Sequence, residues 1–189
     1  MNDRIVLPLL LVLLLSACGP IIGQMMKASE GISQFEVTSG SLTSLRPEGN
    51  LLVYGPFAKT KEAFYISRGE DAANFAAELQ DQGVIQTRLF IERDFDRLEQ
   101  TANELRGKSP ERIQNDLALE RRPDIILFGT ILHRKTIIAP ARGVIMDVGY
   151  RLEFFDTGTQ ESTIVEVSIK DLAENCIPRI VEEIVRRRS

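Results

Sequence analysis

The chain has 189 residues, 43 % of them hydrophobic, with 23 basic and 27 acidic side chains and a net charge of −4. This is the composition of a globular chain long enough to bury one ordinary core, which excludes a disordered one. The mild acidity excludes general nucleic-acid binding, which needs a basic surface.

An apolar run fills positions 5–15. It is about half as long as the roughly 20 residues that a bilayer-spanning helix needs. Ile21 and Ile22 could extend it only across Gly19-Pro20, which breaks a helix. Arg4, the short apolar stretch and the small pair Ser16-Ala17 together follow a secretory signal. Leu15-Ser16-Ala17-Cys18 resembles the bacterial lipobox, whose cysteine becomes the lipidated amino terminus; the alternative is an ordinary signal peptide that contains a cysteine. The resemblance implies cleavage between Ala17 and Cys18, with diacylglycerol and palmitate on Cys18. Each buried methylene of such a lipid contributes about 0.8 kcal/mol, so more than one chain anchors stably. Gly19, rather than Asp, after the cysteine implies the outer membrane, with the domain facing the periplasm. Removing residues 1–17 of 189 leaves a mature chain of 172.

With Cys18 lipidated, Cys176 is the only thiol and an internal disulfide is excluded. Cys176 is then either a reactive thiol or a small core residue.

Positions 18–48 are rich in Gly, Ser, Thr and Pro, which reads as a tether with a short strand at 34–38. A tether of that length spans roughly 100 Å when extended. The single domain is expected over 49–189. Leu51-Leu52-Val53-Tyr54 reads as a buried strand closed by Gly55-Pro56. Ala72, Phe75, Ala76 and Leu79 are spaced for a helix over 71–82, stopped by Gly83. A second strand follows at 88–91. Asp94 is placed to cap a helix bearing Phe95, Leu98, Ala102 and Leu105. Ser109-Pro110 starts another helix, with Ile113 and Leu117 on its apolar side. Asp124-Ile125-Ile126-Leu127-Phe128-Gly129 reads as the central strand.

From there the period becomes two. A strand over 131–139 leads into 145–155, where Met146, Val148, Tyr150, Leu152 and Phe154 share one face. After the turn at 156–159, Thr163, Val165, Val167 and Ile169 alternate likewise, completing an antiparallel meander. A last helix opens at Asp171 with Glu174 as its capping box and continues past Pro178. The fold class expected is α/β (α+β): a mixed sheet of about five to six strands, an antiparallel C-terminal meander, and helices mainly on one face.

Over about 50–170 this order resembles the small α/β domain shared by the curli-secretion lipoprotein CsgG, the penicillin-binding-protein activator LpoB and the N-terminal domain of TolB. The residues that carry the resemblance are 51–57, the helix and strand over 71–93, 123–129, and Tyr150 to Asp156-Thr157-Gly158. It implies binding of protein partners or assembly into rings, and no catalytic residues. The long barrel-forming insertions of the curli protein and the long tether of the activator are missing from this sequence. Fold likeness does not choose among such functions.

Catalytic constellations are scarce. His133 is the only histidine, and neither a G-x-S-x-G motif nor a Walker loop accompanies it. One histidine cannot make a multi-histidine metal site. Glu92, Asp94 and Asp96 match no calcium-loop spacing and fit acids at a helix start. No metal or cofactor is therefore expected. Arg121, Arg122, His133, Arg134, Lys135 and Arg142 would make a positive face if they converged. Ile137, Ile138, Arg142, Val144 and Ile145 surround a hairpin tip, which either docks on a partner or closes the end of the core.

The function expected is that of a non-catalytic, lipid-anchored periplasmic protein that binds or assembles with other envelope proteins, with a possible homo-oligomer. The alternatives are a ring-forming subunit of a trans-envelope export or motility assembly and, more remotely, an envelope hydrolase working through His133.

Overall fold

The computed structural model describes residues 30–63, 70–139 and 142–188. The signal segment, Ala17 and Cys18 lie outside them. Six strands form one mixed sheet: β1 (Gly31–Ser39), β2 (Asn50–Lys59), β3 (Gln86–Ile91), β4 (Ile125–Ala139), β5 (Gly143–Asp156) and β6 (Ser162–Leu172). Their spatial order is β1-β6-β5-β4-β2-β3. β2 runs parallel to both β3 and β4, and the other pairs are antiparallel. Among the described residues four α-helices accompany it: α1 (Glu70–Asp81), α2 (Leu98–Arg106), α3 (Pro110–Asp116) and α4 (Ala173–Arg188).

The apolar runs explain which strands are covered twice. In β2 and β4, Leu51, Val53, Ile125 and Leu127 join the core under α1 and α4, while Leu52, Tyr54, Ile126 and Phe128 join a smaller core under α2 and α3. A strand buried on both faces reads as a continuous hydrophobic stretch. β5 and β6 instead alternate, with Val148, Tyr150, Leu152, Phe154, Val165, Val167 and Ile169 all in the larger core. Thus the longer helices do share one face, as expected, and the two short ones cover part of the other.

Three boundaries differ from the sequence reading. The folded unit starts at Gly31, not 49. β1 pairs with β6 along its length, and Ile32, Phe35 and Val37 pack on the core. β2 does not end at Gly55-Pro56; its register with β4 shifts between Tyr54 and Ala58, and such an irregularity accommodates the proline. The strands expected at 124–129 and 131–139 are one continuous β4.

The caps follow local chemistry. Ser109 Oγ accepts from Arg112 N at 3.4 Å, with Pro110 in the first turn of α3. Gly83 adopts φ 62° after α1, a conformation that suits glycine. Asp94 accepts from Asp96 N at 3.2 Å, capping a 3-10 turn (Phe95–Arg97) that leads into α2. Asp171 is not the expected N-cap. It lies in β6, buried, where it accepts from Leu172 N at 2.7 Å and pairs with Arg179 Nη1 at 3.0 Å.

Candidate docking surface

β4 outlasts β2, whose last partnered residue, Lys59, faces Ile131. Beyond that point β4 continues only with β5, as a hairpin in which Ile138 lies opposite Val144 and Ile137 opposite Ile145. Ile138 is 81 % exposed and Val144 44 %. This cross-strand pair makes an apolar surface. Ile137 is half-buried and Arg142 partly covered. Ile145, expected at the docking tip, is buried instead: it is 0 % exposed and has Ile137 and Leu172 as its cross-strand neighbours. Ile138 and Val144 thus face outward, and Ile145 belongs to the interior.

The base of the hairpin is held by a buried polar cluster that the sequence reading missed. Arg134 Nη2 donates to Asp71 Oδ1 at 2.6 Å and Oδ2 at 2.7 Å, and to the Tyr150 hydroxyl at 3.1 Å. Tyr150 OH donates to Asp71 Oδ1 at 3.0 Å. The two charged side chains are only 11 % and 8 % exposed. Burial, with the charge of Asp71 beside it, pushes the Tyr150 phenol well above its ordinary range, so it stays a proton donor. The cluster ties α1 to β4 and β5.

The basic residues do not converge on one face. Arg134 is consumed by Asp71, and Arg121 and Arg122 lie before β4, at the end of the sheet opposite Lys135. There Arg122 pairs with Glu111 at 3.2 Å, and Arg121 donates to Gln86 Oε1 at 2.9 Å. His133 places Nε2 3.4 Å from Asp147 Oδ1, and its ring lies against Gly149. Those neighbours offer no hydroxyl or thiol nucleophile. Glu92 accepts from Asp94 N at 3.0 Å and from Tyr54 OH at 3.4 Å, a helix-start arrangement. Cys176 is a core residue: it is buried on α4, and that burial, with Asp171 nearby, pushes its thiol up to about 12.

A groove of about 330 Å³ opens where α2 meets the sheet, lined by Tyr54, Phe128, Arg106 and Glu153 among others. Arg106 lies 4.2 Å from the Phe128 ring centroid and forks onto Glu153, at 3.2 Å to Oε1 and 2.6 Å to Oε2. Burial raises the Glu153 pKa, but the bonds from Arg106 and Ser162 outweigh it and hold the carboxyl below its ordinary value. Two of the charged side chains that line the groove are thus paired with each other. The end of the sheet, by contrast, presents apolar surface.

Together these features define an α/β domain with a mixed sheet and a protruding, apolar-tipped hairpin. No family model matches the sequence, and no curated relative matches it. Among solved structures, a single-substitution variant of the PelC dodecamer from Paraburkholderia phytofirmans is similar at a TM-score of 0.50 and 15 % identity, over 82 % of this chain and 96 % of that one. A second crystal form of the PelC dodecamer gives 0.49 and 15 %, over 82 % and 94 %. Lipoprotein GNA1162 from Neisseria meningitidis gives 0.41 and 16 %, over 73 % and 93 %. At these identities the likeness is one of fold.

Proposed function

We propose that the chain is a non-catalytic, lipid-anchored protein of the bacterial cell envelope that works by assembly, with copies of itself in a ring and with other envelope proteins. The observation that carries this reading is the fold: the domain follows, over 82 % of the chain, the subunit of a PelC dodecamer. Two further features support it. Leu15-Ser16-Ala17-Cys18 resembles a lipobox, which would place the domain on a membrane, facing the periplasm, with the outer membrane favoured by Gly19. The sheet also leaves β1 and β3 as edge strands, each paired on one side within the sheet, and edges of this kind accept neighbours.

The test is the mass of the full-length protein, extracted from membranes in detergent, by mass photometry and native mass spectrometry. A single closed oligomer larger than a dimer is expected. A strictly monomeric protein that also captures no envelope protein on in-cell crosslinking would overturn the reading. The hydrolase alternative predicts that His133→Gln abolishes the cellular function, and an unaffected variant removes it.

A further inference from the structure

The strand register gives the sheet a polarity. Gly31, where the described sheet begins, lies opposite Lys170, which lies opposite Asp147, which lies opposite Lys135. The β4–β5 hairpin therefore projects from the same end of the sheet at which β1 starts. It runs three residues past that level to Ile138 and Val144, about 10 Å at the rise of a strand. Phe95, 59 % exposed, follows β3, whose Phe90 is level with Tyr54 and Phe128, in the middle of the sheet and short of this end. Of the four large exposed apolar side chains among the described residues, Ile138 and Val144 lie at this end, and Leu89 and Phe95 lie in and just after β3. The opposite end carries the 156–162 turn and the end of α4, where Arg188 Nη1 donates to the carbonyls of Leu45 and Val84.

The lipid anchor proposed at Cys18 is joined to this end. Thirteen peptide units separate Cys18 from Gly31, so Gly31 is held at most roughly 45 Å from the lipidated residue. Charge agrees with the position. Between Arg134 and Met146 the sequence RKTIIAPARGVIM carries three basic residues and no acid. Of these, Arg134 is spent on Asp71, and Lys135 stands exposed on the hairpin shaft, with Asp147 opposite it and Lys170 beyond. An apolar tip above a shaft that carries an exposed lysine is an arrangement that enters a headgroup layer.

We propose that this end of the sheet docks on the anionic phospholipid surface that holds the N-terminal lipid, with Ile138 and Val144 entering the headgroup region. The inference rests on the anchor reading above and gives the domain one fixed orientation, the hairpin toward the bilayer and the 156–162 turn away from it.

The test uses full-length protein purified from membranes and reconstituted in vesicles of phosphatidylethanolamine and phosphatidylglycerol. A polarity-sensitive fluorophore is placed at Ile138→Cys and, as control, at Thr159→Cys on the exposed distal turn. The native thiol of Cys176 is buried and the sulfur of Cys18 is taken by lipid. Emission at 138 is expected to shift to the blue and to be quenched by brominated phospholipid, while 159 stays in water. Adding Val144→Asp should lower the docked fraction by about tenfold, the effect of removing one apolar side chain from the interface. Three results overturn the proposal in distinguishable ways. An intact mass without lipid removes the anchor and, with it, the orientation. A lipidated protein whose 138 probe is as wet as 159 removes the docking alone. A blue shift at 138 without bromolipid quenching assigns the tip to a second copy of the chain or another protein.

Discussion

Replacing Arg134 with Met should destabilise the domain by about 3 kcal/mol. The substitution keeps the apolar stem but removes the nitrogen that bonds both oxygens of Asp71, at 2.6 and 2.7 Å. Breaking a buried ion pair from one side costs about 3–5 kcal/mol, because a charge is left without its counter-charge in the interior. The lower end applies here, since Tyr150 OH still donates to the carboxylate at 3.0 Å. At an m-value of about 2 kcal/mol/M, the urea midpoint should fall by roughly 1.5 M. The melting temperature should fall by about 6–12 °C for a domain of this size. Arg134→Lys is the informative companion. One nitrogen, Nη2, makes all three bonds of the cluster, so a point donor can replace part of the fork and should retain about half of the stability. Urea unfolding followed by far-UV circular dichroism measures all three proteins. A loss below about 1 kcal/mol for Arg134→Met would refute the argument, because it would mean that water or another donor already satisfies Asp71.

Three further outcomes follow from the same contacts. Gly129→Ala should cost about 2 kcal/mol, since a Cβ there runs into the buried Phe57 ring, and a wild-type midpoint in urea would contradict this. Cys176, with its thiol pushed up to about 12 by burial, should resist a disulfide reagent at pH 8 and react only in denaturant; prompt labelling of the folded protein would exclude the core placement. Glu153 has a folded pKa below its ordinary 4.5, so the unfolded chain binds more protons there, and stability is lost as pH falls through the folded value. Arg106→Met removes the main donor and should flatten that acid loss in denaturation series below about pH 4.5; an unchanged slope would assign the acid sensitivity to other carboxylates.

Much of this architecture is legible in the chain because its signals are local. Ser109-Pro110, the Gly83 stop, the runs at 51–54 and 125–128 and the alternation through β5 and β6 each report on a few neighbouring residues. Those two continuous runs also announce coverage on both faces, which a one-sided reading passes over. What stayed hidden depends on distant partners. β1 is an edge strand whose side chains are partly exposed, so its pattern is weak, and its partner β6 lies some 130 residues away. The triplet His133-Arg134-Lys135 reads as one part of a positive face, yet its middle member is buried because Asp71, 63 residues earlier, reaches it from α1. Ile145 falls out of phase with Val148 and Tyr150 and so reads as outward. Its burial comes from Ile137 and Leu172 across the strands.

The same cluster ties the β4 side of the hairpin to the helical layer. Past Ile131, β4 no longer has β2 beside it, and the register with β5 shifts between Ile131 and His133. On its other side β5 stays paired with β6 as far as Ile145 opposite Leu172, so only the tip at 138–144 is two-stranded. A two-stranded ribbon is marginal alone. Arg134 stands just beyond that shift, and its bond to Asp71 fixes the base of the ribbon to α1. Apolar groups of similar volume often match or exceed the stability of a buried ion pair, whereas they fix geometry less specifically. The triple variant Asp71→Leu, Arg134→Met, Tyr150→Phe removes all three polar partners together, leaving no orphaned hydroxyl. We predict that its unfolding free energy returns to within about 1–2 kcal/mol of the wild type, while amide exchange quickens at 135–139 and 143–147 and stays unchanged in β2 and α4. If protection in the hairpin is unaltered, the strand pairing alone sets its position, and the buried charges have no part in presenting Ile138 and Val144.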